Sequence, residues 1–426
     1  MRARTFAAVG IAAALALSAC GGDEADSNDS AGAADENATI RLWLNGEDTP
    51  QELVDYATAE FKKLHPNANV TFERQQWTGI VEKLTTSLSS SDSPDVVELG
   101  NTQAQTFEAA GALQDLTDKK ADLGGDDLVQ SLTEAGTYDG KFYGVPYYGG
   151  ARIVVYRKDL FEKSGIAVPK TTEEFVQAGI KLKQDNAATQ GFSGIYFPGK
   201  YWYAALPFIW ENGGDIATKE GDEWKGQLAS AGSVAGLQTV KQIMDQASGA
   251  PKDADETQDF VAFCNNQVAM LMGPGWKIGQ IIDPKDGCPE MESKIGAFAL
   301  PGKSAGTTAP AFLGGSNLAI SAKSKNPELA YDLLKIMSGD GYQKQLAALG
   351  LLPAKKSLLT EVGGSEGATA QATAAANSRF VPSSEKWAGV EASTVLPDML
   401  VAIARGGDIQ SEAAKADAAI VETLNS

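Results

Sequence analysis

Apolar and polar positions alternate along the segment ATIRLWL, where Ile40, Leu42 and Leu44 lie on one face. This period of two predicts a half-buried strand. From residue 53 to residue 64 the apolar positions instead recur every three or four residues, which predicts a helix. Thr49 as N-cap, with Glu52 three residues later, supplies the signature of a capping box at its start.

The same rhythm continues along the next forty residues. A second strand is predicted around Val70 to Phe72, a second helix carries Ile80, Leu84 and Leu88 at four-residue spacing, and the strand DVVELG follows a polar break. Strands that alternate with helices predict an open, mainly parallel α/β sheet, in which ligands collect beyond the carboxyl ends of the strands. One rim is therefore expected to carry Asn45 to Asp48 (which includes Glu47), Gln76, Trp77, and Asn101 to Gln103.

The N-terminus has the features of an export signal. Arg2 and Arg4 precede an apolar stretch of twelve residues from Phe6 to Leu17, and the segment LSAC ends at Cys20. LSAC resembles the lipobox of bacterial lipoproteins, so residues 1–19 are predicted to be a signal peptide and Cys20 to carry the lipid. Residues 20–38 contain no aromatic or branched aliphatic side chain and are predicted to be a flexible tether.

The length and the net charge of the chain limit its domain organisation and the classes of molecule that it can bind. A chain of 426 residues is long enough for two lobes. Its net charge of -19 would repel nucleic acid and anionic lipid. No stretch beyond the N-terminus approaches the roughly 20 apolar residues that span a bilayer. The protein is therefore expected on the extracellular face of the cell membrane, attached only through its lipid, with no nucleic acid as partner.

The cysteines agree with export. Apart from Cys20, only Cys264 and Cys288 are present, and a disulfide between them is the simplest interpretation in an oxidising compartment. Two thiols without Cys-x-x-Cys spacing and a single histidine cannot form an ordinary zinc site. No metal or cofactor is expected.

Aromatic residues are concentrated in one place. Seven of the fifteen residues from Tyr196 to Trp210 are aromatic, in a chain that is 8% aromatic as a whole. The charge and the lack of a spanning segment argue against base stacking and a membrane belt. A packed core and a surface that stacks on sugar rings are the two explanations that stay open.

Three longer segments resemble one known family. YDGKFYGVPYYGGARIVVYRKDLFEKSGIAVPKTTEEF, FCNNQVAMLMGPGW and GGSNLAISAKSKNPELAYDLLKIMSG together resemble the family 1 extracellular solute-binding proteins of ABC importers. Within that family, QQWTGIVEKLTTSLSSSDSPDVVELGNTQ is similar to importers whose binding protein takes chitobiose and related oligosaccharides. As a set, the motifs extend from about Thr39 to the C-terminus.

The resemblance implies a two-lobed, periplasmic-binding-protein-like fold without catalysis of its own. Each lobe would be an open, mainly parallel sheet flanked by helices. The N-terminal lobe would contain residues 39–148 and 313–353 and the C-terminal lobe residues 152–310 and 356–426, with hinge crossovers near 148–153 and 311–317. A monomer of this kind would close on a sugar and deliver it to the membrane permease of an ABC transporter.

Sugar rings have apolar faces and polar edges, so the ligand-binding candidates combine flat aromatic rings with amides, hydroxyls and carboxylates. Trp276 follows a Gly-Pro-Gly turn and matches a position that in the family often stacks on sugar. The other candidates, besides the rim residues, lie in the aromatic run, at the crossovers or in isolated tryptophans: Trp43, Tyr148, Tyr201, Trp202, Trp210, Glu211, Gly315, Ser316 and Trp387.

Two other classes of protein stay open on the sequence alone. A lipid-anchored glycoside hydrolase would also need a cleft with aromatic rings, and it would add two carboxylates about 5 to 10 Å apart. A binding protein for a polyamine or another cation would account for the acidic composition. Turnover of a sugar, or binding of a cation, would distinguish these classes.

Overall fold

Short parallel strands alternate with helices at the start of the fold, as the apolar pattern predicts. The computed structural model describes residues 37–46, 49–77, 79–257, 259–361 and 365–426. The predicted signal peptide, Cys20, most of the predicted tether and Glu47 lie outside the described residues.

The strands are β1 Thr39–Asn45, β2 Asn69–Gln75, β3 Val96–Gly100, β4 Thr137–Tyr138, β5 Lys141–Phe142, β6 Val145–Arg157, β7 Ser193–Tyr196, β8 Ala217–Glu220, β9 Glu223–Gly226, β10 Val268–Pro274, β11 Ile295–Phe298, β12 Ala311–Ile320, β13 Leu352–Pro353 and β14 Ser378–Arg379.

The α-helices are α1 Gln51–Leu64, α2 Ile80–Ser89, α3 Ala104–Ala109, α4 Gln130–Ala135, α5 Lys158–Lys163, α6 Thr172–Asp185, α7 Trp202–Glu211, α8 Ala231–Gln242, α9 Asp259–Cys264, α10 Lys277–Ile282, α11 Pro327–Ser338, α12 Asp340–Ala348, α13 Glu366–Ala376, α14 Trp387–Ala392, α15 Val395–Ala404 and α16 Ile409–Leu424. Shorter helical turns span Thr117–Lys119, Gly125–Asp127, Ile243–Ala247, Pro289–Lys294 and Lys356–Glu361.

The main sheet has the strand order β2-β1-β3-β12-β6-β10-β7. β1 pairs in parallel with β2 and β3, and β10 pairs in parallel with β7. β12, however, runs antiparallel to both β3 and β6, and β6 runs antiparallel to β10. The α/β class is confirmed, but the sheet is mixed rather than mainly parallel because the two long crossover strands run against their neighbours.

The crossover strands lie side by side at their middle. Gly149 and Gly150 of β6 face Gly315 and Gly314 of β12. Gly315 has a φ of 144°, and a Cβ there would collide with the carbonyl oxygen of Tyr148. This position therefore needs glycine, because any side chain would separate the two backbones.

Apolar cores lie on both faces of the first strands. Ile40, Leu42 and Leu44 pack toward α1 and α11. Trp43 points to the opposite face, where it is buried with Leu84 of α2. A parallel sheet that is covered on both faces buries both sets of side chains. Trp43 is therefore a core residue, although it lies on the face opposite to Ile40, Leu42 and Leu44.

The predicted capping box at α1 does not form. α1 begins at Gln51, Pro50 is its N-cap, and no side chain caps the helix. The Thr49 hydroxyl instead shares a hydrogen bond of 2.9 Å with the Tyr147 hydroxyl in the interior. Thr49 thus bonds Tyr147, which is distant in the sequence, and does not cap the N-terminus of α1.

Among the described residues, no helix is both long enough and apolar enough to cross a membrane.

Candidate binding site

A cavity of about 650 Å³ opens beside the crossover strands, at the carboxyl ends of β3 and β10. The residues on its wall that were predicted from the sequence are Trp77, Asn101, Thr102, Gln103, Tyr148, Trp276, Gly315 and Ser316. The other residues on its wall are Gly100, Gly150, Arg152, Tyr203, Glu256, Thr257, Pro274, Lys277, Gln280, Phe312, Gly314 and Glu391. The volume is within the range of small-molecule sites.

Trp276 is fixed against the crossover strand β6. It is the residue immediately before α10, and its indole lies over Gly150, where a Cβ would collide with the ring. The ring of Tyr148 meets the indole edge to face, with centroids 6.4 Å apart and planes at 88°. The missing side chain at Gly150 thus leaves room for a partly exposed indole on the cavity wall.

A buried carboxylate supports the wall from behind. Glu98 of β3 accepts hydrogen bonds from the Tyr148 hydroxyl at 3.1 Å and from the backbone N–H of Asn45 at 2.7 Å. The Ser316 hydroxyl donates in turn to the Tyr148 hydroxyl at 3.3 Å. Asn45, a predicted ligand-binding residue, is buried behind Tyr148 and orients the wall instead of lining it.

Both cationic side chains on the described part of the wall are paired with carboxylates. The Arg152 guanidinium contacts Glu256 at 2.7 and 2.9 Å and lies over the rings of Tyr201 and Tyr203 at 5.3 and 5.2 Å. The Lys277 ammonium contacts Asp259 at 2.7 Å. The wall therefore presents paired rather than free positive charge.

Glu391 is held by donors from two sides of the cavity. It accepts hydrogen bonds from Trp387 Nε1 at 3.0 Å, from the Tyr203 hydroxyl at 3.2 Å and from the Thr102 hydroxyl at 3.1 Å. Burial raises the pKa of Glu391, and these donors oppose that effect. Thr102 follows β3, whereas Glu391 belongs to α14, so this carboxylate joins two distant parts of the chain.

Residues 45–344 match the sequence profile of the family described as bacterial extracellular solute-binding protein. The chain belongs to this family. The members of the family, like the relatives of this chain, are binding proteins rather than enzymes. The family resemblance that the three sequence motifs indicated is confirmed.

The relatives include the diacetylchitobiose binding protein DasA of Streptomyces coelicolor, which is 36% identical over 397 residues, or 92% of this chain and 91% of the relative. The arabinooligosaccharide-binding protein of Bacillus subtilis is 25% identical over 54% of this chain and 52% of that protein. Among solved structures, the GacH receptor of Streptomyces glaucescens superimposes with a TM-score of 0.77 and 22% identity, covering 91% of this chain and 98% of the receptor. This likeness shows the two-lobed fold of the solute-binding proteins.

Several aromatic residues that were predicted near the cleft of this solute-binding protein lie in its core. Tyr201, Trp210 and Trp387 are buried in one apolar cluster, with Trp387 only 1% exposed. The Tyr201 hydroxyl donates to the carbonyl of Met272, and Trp210 Nε1 donates to Asp215 at 3.2 Å. Trp210 is buried because α7 carries almost no polar positions and is covered along most of its length, and Tyr201 directly precedes this helix.

The remaining candidates do not line the cavity either. Trp202 is partly buried and stacks on Tyr203 with ring centroids 3.7 Å apart. Glu211 accepts a hydrogen bond of 2.7 Å from the backbone N–H of Lys303. Gln76 is exposed beyond the end of β2.

Sequence reasoning missed several wall residues. Tyr203 lies inside the aromatic run, but nothing in the run distinguishes it from Trp202. Lys277 and Gln280 directly follow the Gly-Pro-Gly-Trp turn at spacings that place them on the same side of α10, so helical periodicity after Trp276 could have found them. Arg152 and Glu256 are 104 residues apart, and no local pattern joins them.

Proposed function

We propose that this solute-binding protein captures a neutral oligosaccharide of the chitobiose type between its lobes and delivers it to the permease of an ABC importer. The observation that carries the proposal is a cavity wall that combines the indoles of Trp276 and Trp77 with amide and hydroxyl groups. Indole faces cover the apolar faces of sugar rings, and the polar groups bond the hydroxyls at the ring edges.

The pairing of charges favours a neutral ligand over a cation. Glu256 is occupied by Arg152, and Glu391 already accepts from Trp387, Tyr203 and Thr102. A polyamine would need carboxylates that are free to pair with its ammonium groups. The DasA relative is named for diacetylchitobiose, which supports the choice of sugar class.

The same contacts argue against hydrolysis. A glycoside hydrolase needs one carboxyl group to donate a proton and a second to act as nucleophile or base. The two carboxylates on the described part of the wall, Glu256 and Glu391, are engaged by other side chains. We expect the protein to return its ligand unchanged.

A thermal-shift panel tests the proposal. The purified mature chain is melted alone and with diacetylchitobiose, maltose, cellobiose or spermidine. A ligand at 100 times its Kd stabilises the folded state by about 2.7 kcal/mol, so a neutral oligosaccharide is expected to raise the Tm clearly. Each sugar is then recovered and examined for monosaccharide. A shift with spermidine alone, or release of monosaccharide, contradicts the proposal.

We also propose that the lobes contain residues 39–148 with 313–353 and residues 152–310 with 356–426, that β6 and β12 act as the hinge crossovers, and that the protein works as a monomer. Pairing of Gly149 and Gly150 with Gly315 and Gly314 supports this position for the hinge. Side chains are absent where the two strands cross, so their backbones can twist with little steric resistance.

The export signal and LSAC motif support lipid attachment through Cys20 at the extracellular face of the membrane. Changing Cys20 to alanine removes the sulfur that would carry the lipid. We expect Cys20→Ala to shift the protein from the membrane fraction into the medium or to leave it unprocessed, as followed by fractionation and mass spectrometry. Cys264→Ala serves as the control. Normal membrane attachment of Cys20→Ala would exclude the anchor.

A further inference from the structure

Two short helices beside the cavity are fastened together at both ends. At their N-terminal ends, Lys277 Nζ of α10 contacts Asp259 Oδ1 of α9 at 2.7 Å, with the side chains 9% and 0% exposed. At their C-terminal ends, Cys264 of α9 forms a disulfide with Cys288, which follows α10. The Cys288 backbone N–H also donates to the carbonyl of Ile281 at 2.6 Å. We call α9, α10 and these two links the clamp.

Five residues of the cavity wall belong to the clamp or lie next to it in the sequence. Trp276 directly precedes α10, and Lys277 and Gln280 belong to it. Glu256 and Thr257 lie just before α9 on the same wall. Lys277 Nζ also lies 3.5 Å from the backbone carbonyl oxygen of Glu256. The ammonium group of α10 therefore contacts the segment before α9 as well as α9 itself.

The links act on a helix that is too short to be stable by itself. It is six residues long, and helices of this length do not persist without tertiary contacts. Its buried residues are Lys277 and Ile281. Lys277 makes the ion pair, and the Ile281 carbonyl receives the Cys288 N–H beside the disulfide. Ile281 also belongs to an apolar cluster against which Ile278 and Ile282 are partly buried. The two links and these apolar contacts together hold α10 in place.

We propose that Asp259 and the Cys264–Cys288 disulfide are positioning elements of the ligand site, which hold the Trp276 indole over Gly150. This inference rests on the proposed function. A ring that is fixed before binding loses little conformational freedom when the sugar arrives, whereas a loosened ring must be ordered at the expense of affinity. Opening the disulfide therefore weakens ligand binding while both lobes stay folded.

Reduction provides the first arm of the test. Dithiothreitol breaks the Sγ–Sγ bond and is oxidised to its cyclic disulfide, and the two electrons and two protons that it gives up yield two cysteine thiols. The reduced wild-type protein and the variant Cys264→Ser/Cys288→Ser are titrated with diacetylchitobiose by tryptophan fluorescence. We expect both to bind about tenfold more weakly than the oxidised protein. Dithiothreitol should not change the Kd of the double variant.

A variant with a similar loss of stability separates positioning from general destabilisation. Leu84→Ala removes a buried side chain in the other lobe, in the cluster around Trp43. It is expected to lower the Tm by an amount comparable to loss of the disulfide and to leave the Kd within twofold of wild type. Equal affinity of Cys264→Ser/Cys288→Ser and wild type, with cooperative melting, overturns the inference.

The ring itself gives a readout that needs no ligand. The emission of Trp276 is obtained as the difference between wild type and Trp276→Phe, each measured oxidised and reduced. We expect the Trp276 contribution to move to longer wavelength on reduction, since the indole gains water contact; an unchanged contribution overturns the inference. Failure of the oxidised wild type to bind any sugar would instead overturn the proposed function, and the emission measurement would still decide the role of the clamp.

Asp259 tests the other end of the clamp. Asp259→Asn keeps the shape of the side chain but leaves the buried Lys277 ammonium without its carboxylate. We expect a loss of affinity at least as large as that of the cysteine variant, and the conservative change Lys277→Arg, which keeps the ion pair, should retain more affinity than Asp259→Asn. If Asp259→Asn does not fold, the comparison of Lys277→Arg with Lys277→Met replaces it. Equal affinity across the folded variants contradicts the positioning role.

Discussion

Replacing Trp276 with alanine is expected to weaken oligosaccharide binding by about 1.5 to 4 kcal/mol, the range for a central aromatic anchor. This corresponds to roughly a 10- to 1,000-fold increase in Kd. The substitution removes the indole that lies over Gly150 and beside Tyr148, while the amide and hydroxyl groups of the wall stay in place. The Kd is measured calorimetrically with the ligand that gives the largest thermal shift.

Trp224→Ala is the matched control for this prediction. Trp224 belongs to the β8–β9 hairpin and does not line the cavity. The same change of side chain there should leave the Kd within twofold of wild type. If Trp276→Ala also binds as tightly as wild type, the indole does not stack on the ligand and the account of this site is wrong.

Glu108→Gln is expected to stabilise the protein at alkaline pH. Glu108 is 2% exposed, and neither carboxylate oxygen has a hydrogen-bond partner among the residues that the structure describes. Burial raises its pKa from the ordinary value of 4.5 to about 8. Between these two values the folded state binds more protons than the unfolded state, so the free energy of unfolding falls as the pH rises from about 4.5 to about 8.

The size of the effect follows from the shift in pKa. Each unit corresponds to about 1.4 kcal/mol, so this carboxylate destabilises the fold at pH 9 by an amount on the order of 5 kcal/mol. Glutamine has a similar shape and no charge, so the substitution removes this loss of stability at high pH. Chemical unfolding at pH 5 and pH 9 should show a gain for Glu108→Gln at pH 9 and little change at pH 5.

Glu162→Gln, at an exposed position of α5, serves as the control and should change stability little at either pH. An equal effect of Glu108→Gln at both pH values would mean that the buried carboxylate does not titrate in this range. Such a result would also remove Glu108 as a source of pH sensitivity in the fold.

The strand and helix pattern of the first hundred residues could be predicted because the apolar positions recur with the period of the element that contains them. The carboxyl ends of β2 and β3 bring Trp77 and Asn101 to the cavity, as expected for an α/β sheet. Asn45 ends β1 on the same rim but turns inward to Glu98. Strand ends thus predict the region of the site but not the direction of each side chain.

The aromatic run shows where sequence reasoning stops. Successive side chains on a helix point about 100° apart, so Trp202 and Tyr203 face different surroundings although both are large amphipathic rings. Only the tertiary contacts of α7 place Tyr203 on the cavity wall beside Phe312, with ring centroids 4.5 Å apart. Burial of Tyr201 and Trp210 has the same origin, since a helix that is apolar on nearly every side has no polar face to present to a cleft.

A calorimetric titration of the mature chain with diacetylchitobiose shows whether the protein captures an intact neutral oligosaccharide. The ligand is recovered afterwards and analysed by mass spectrometry. We expect saturable binding of one molecule per chain, a loss of affinity for Trp276→Ala, and recovery of the sugar unchanged. Absence of binding to diacetylchitobiose and to every other oligosaccharide of the panel, or recovery of cleaved sugar, would contradict the proposed function.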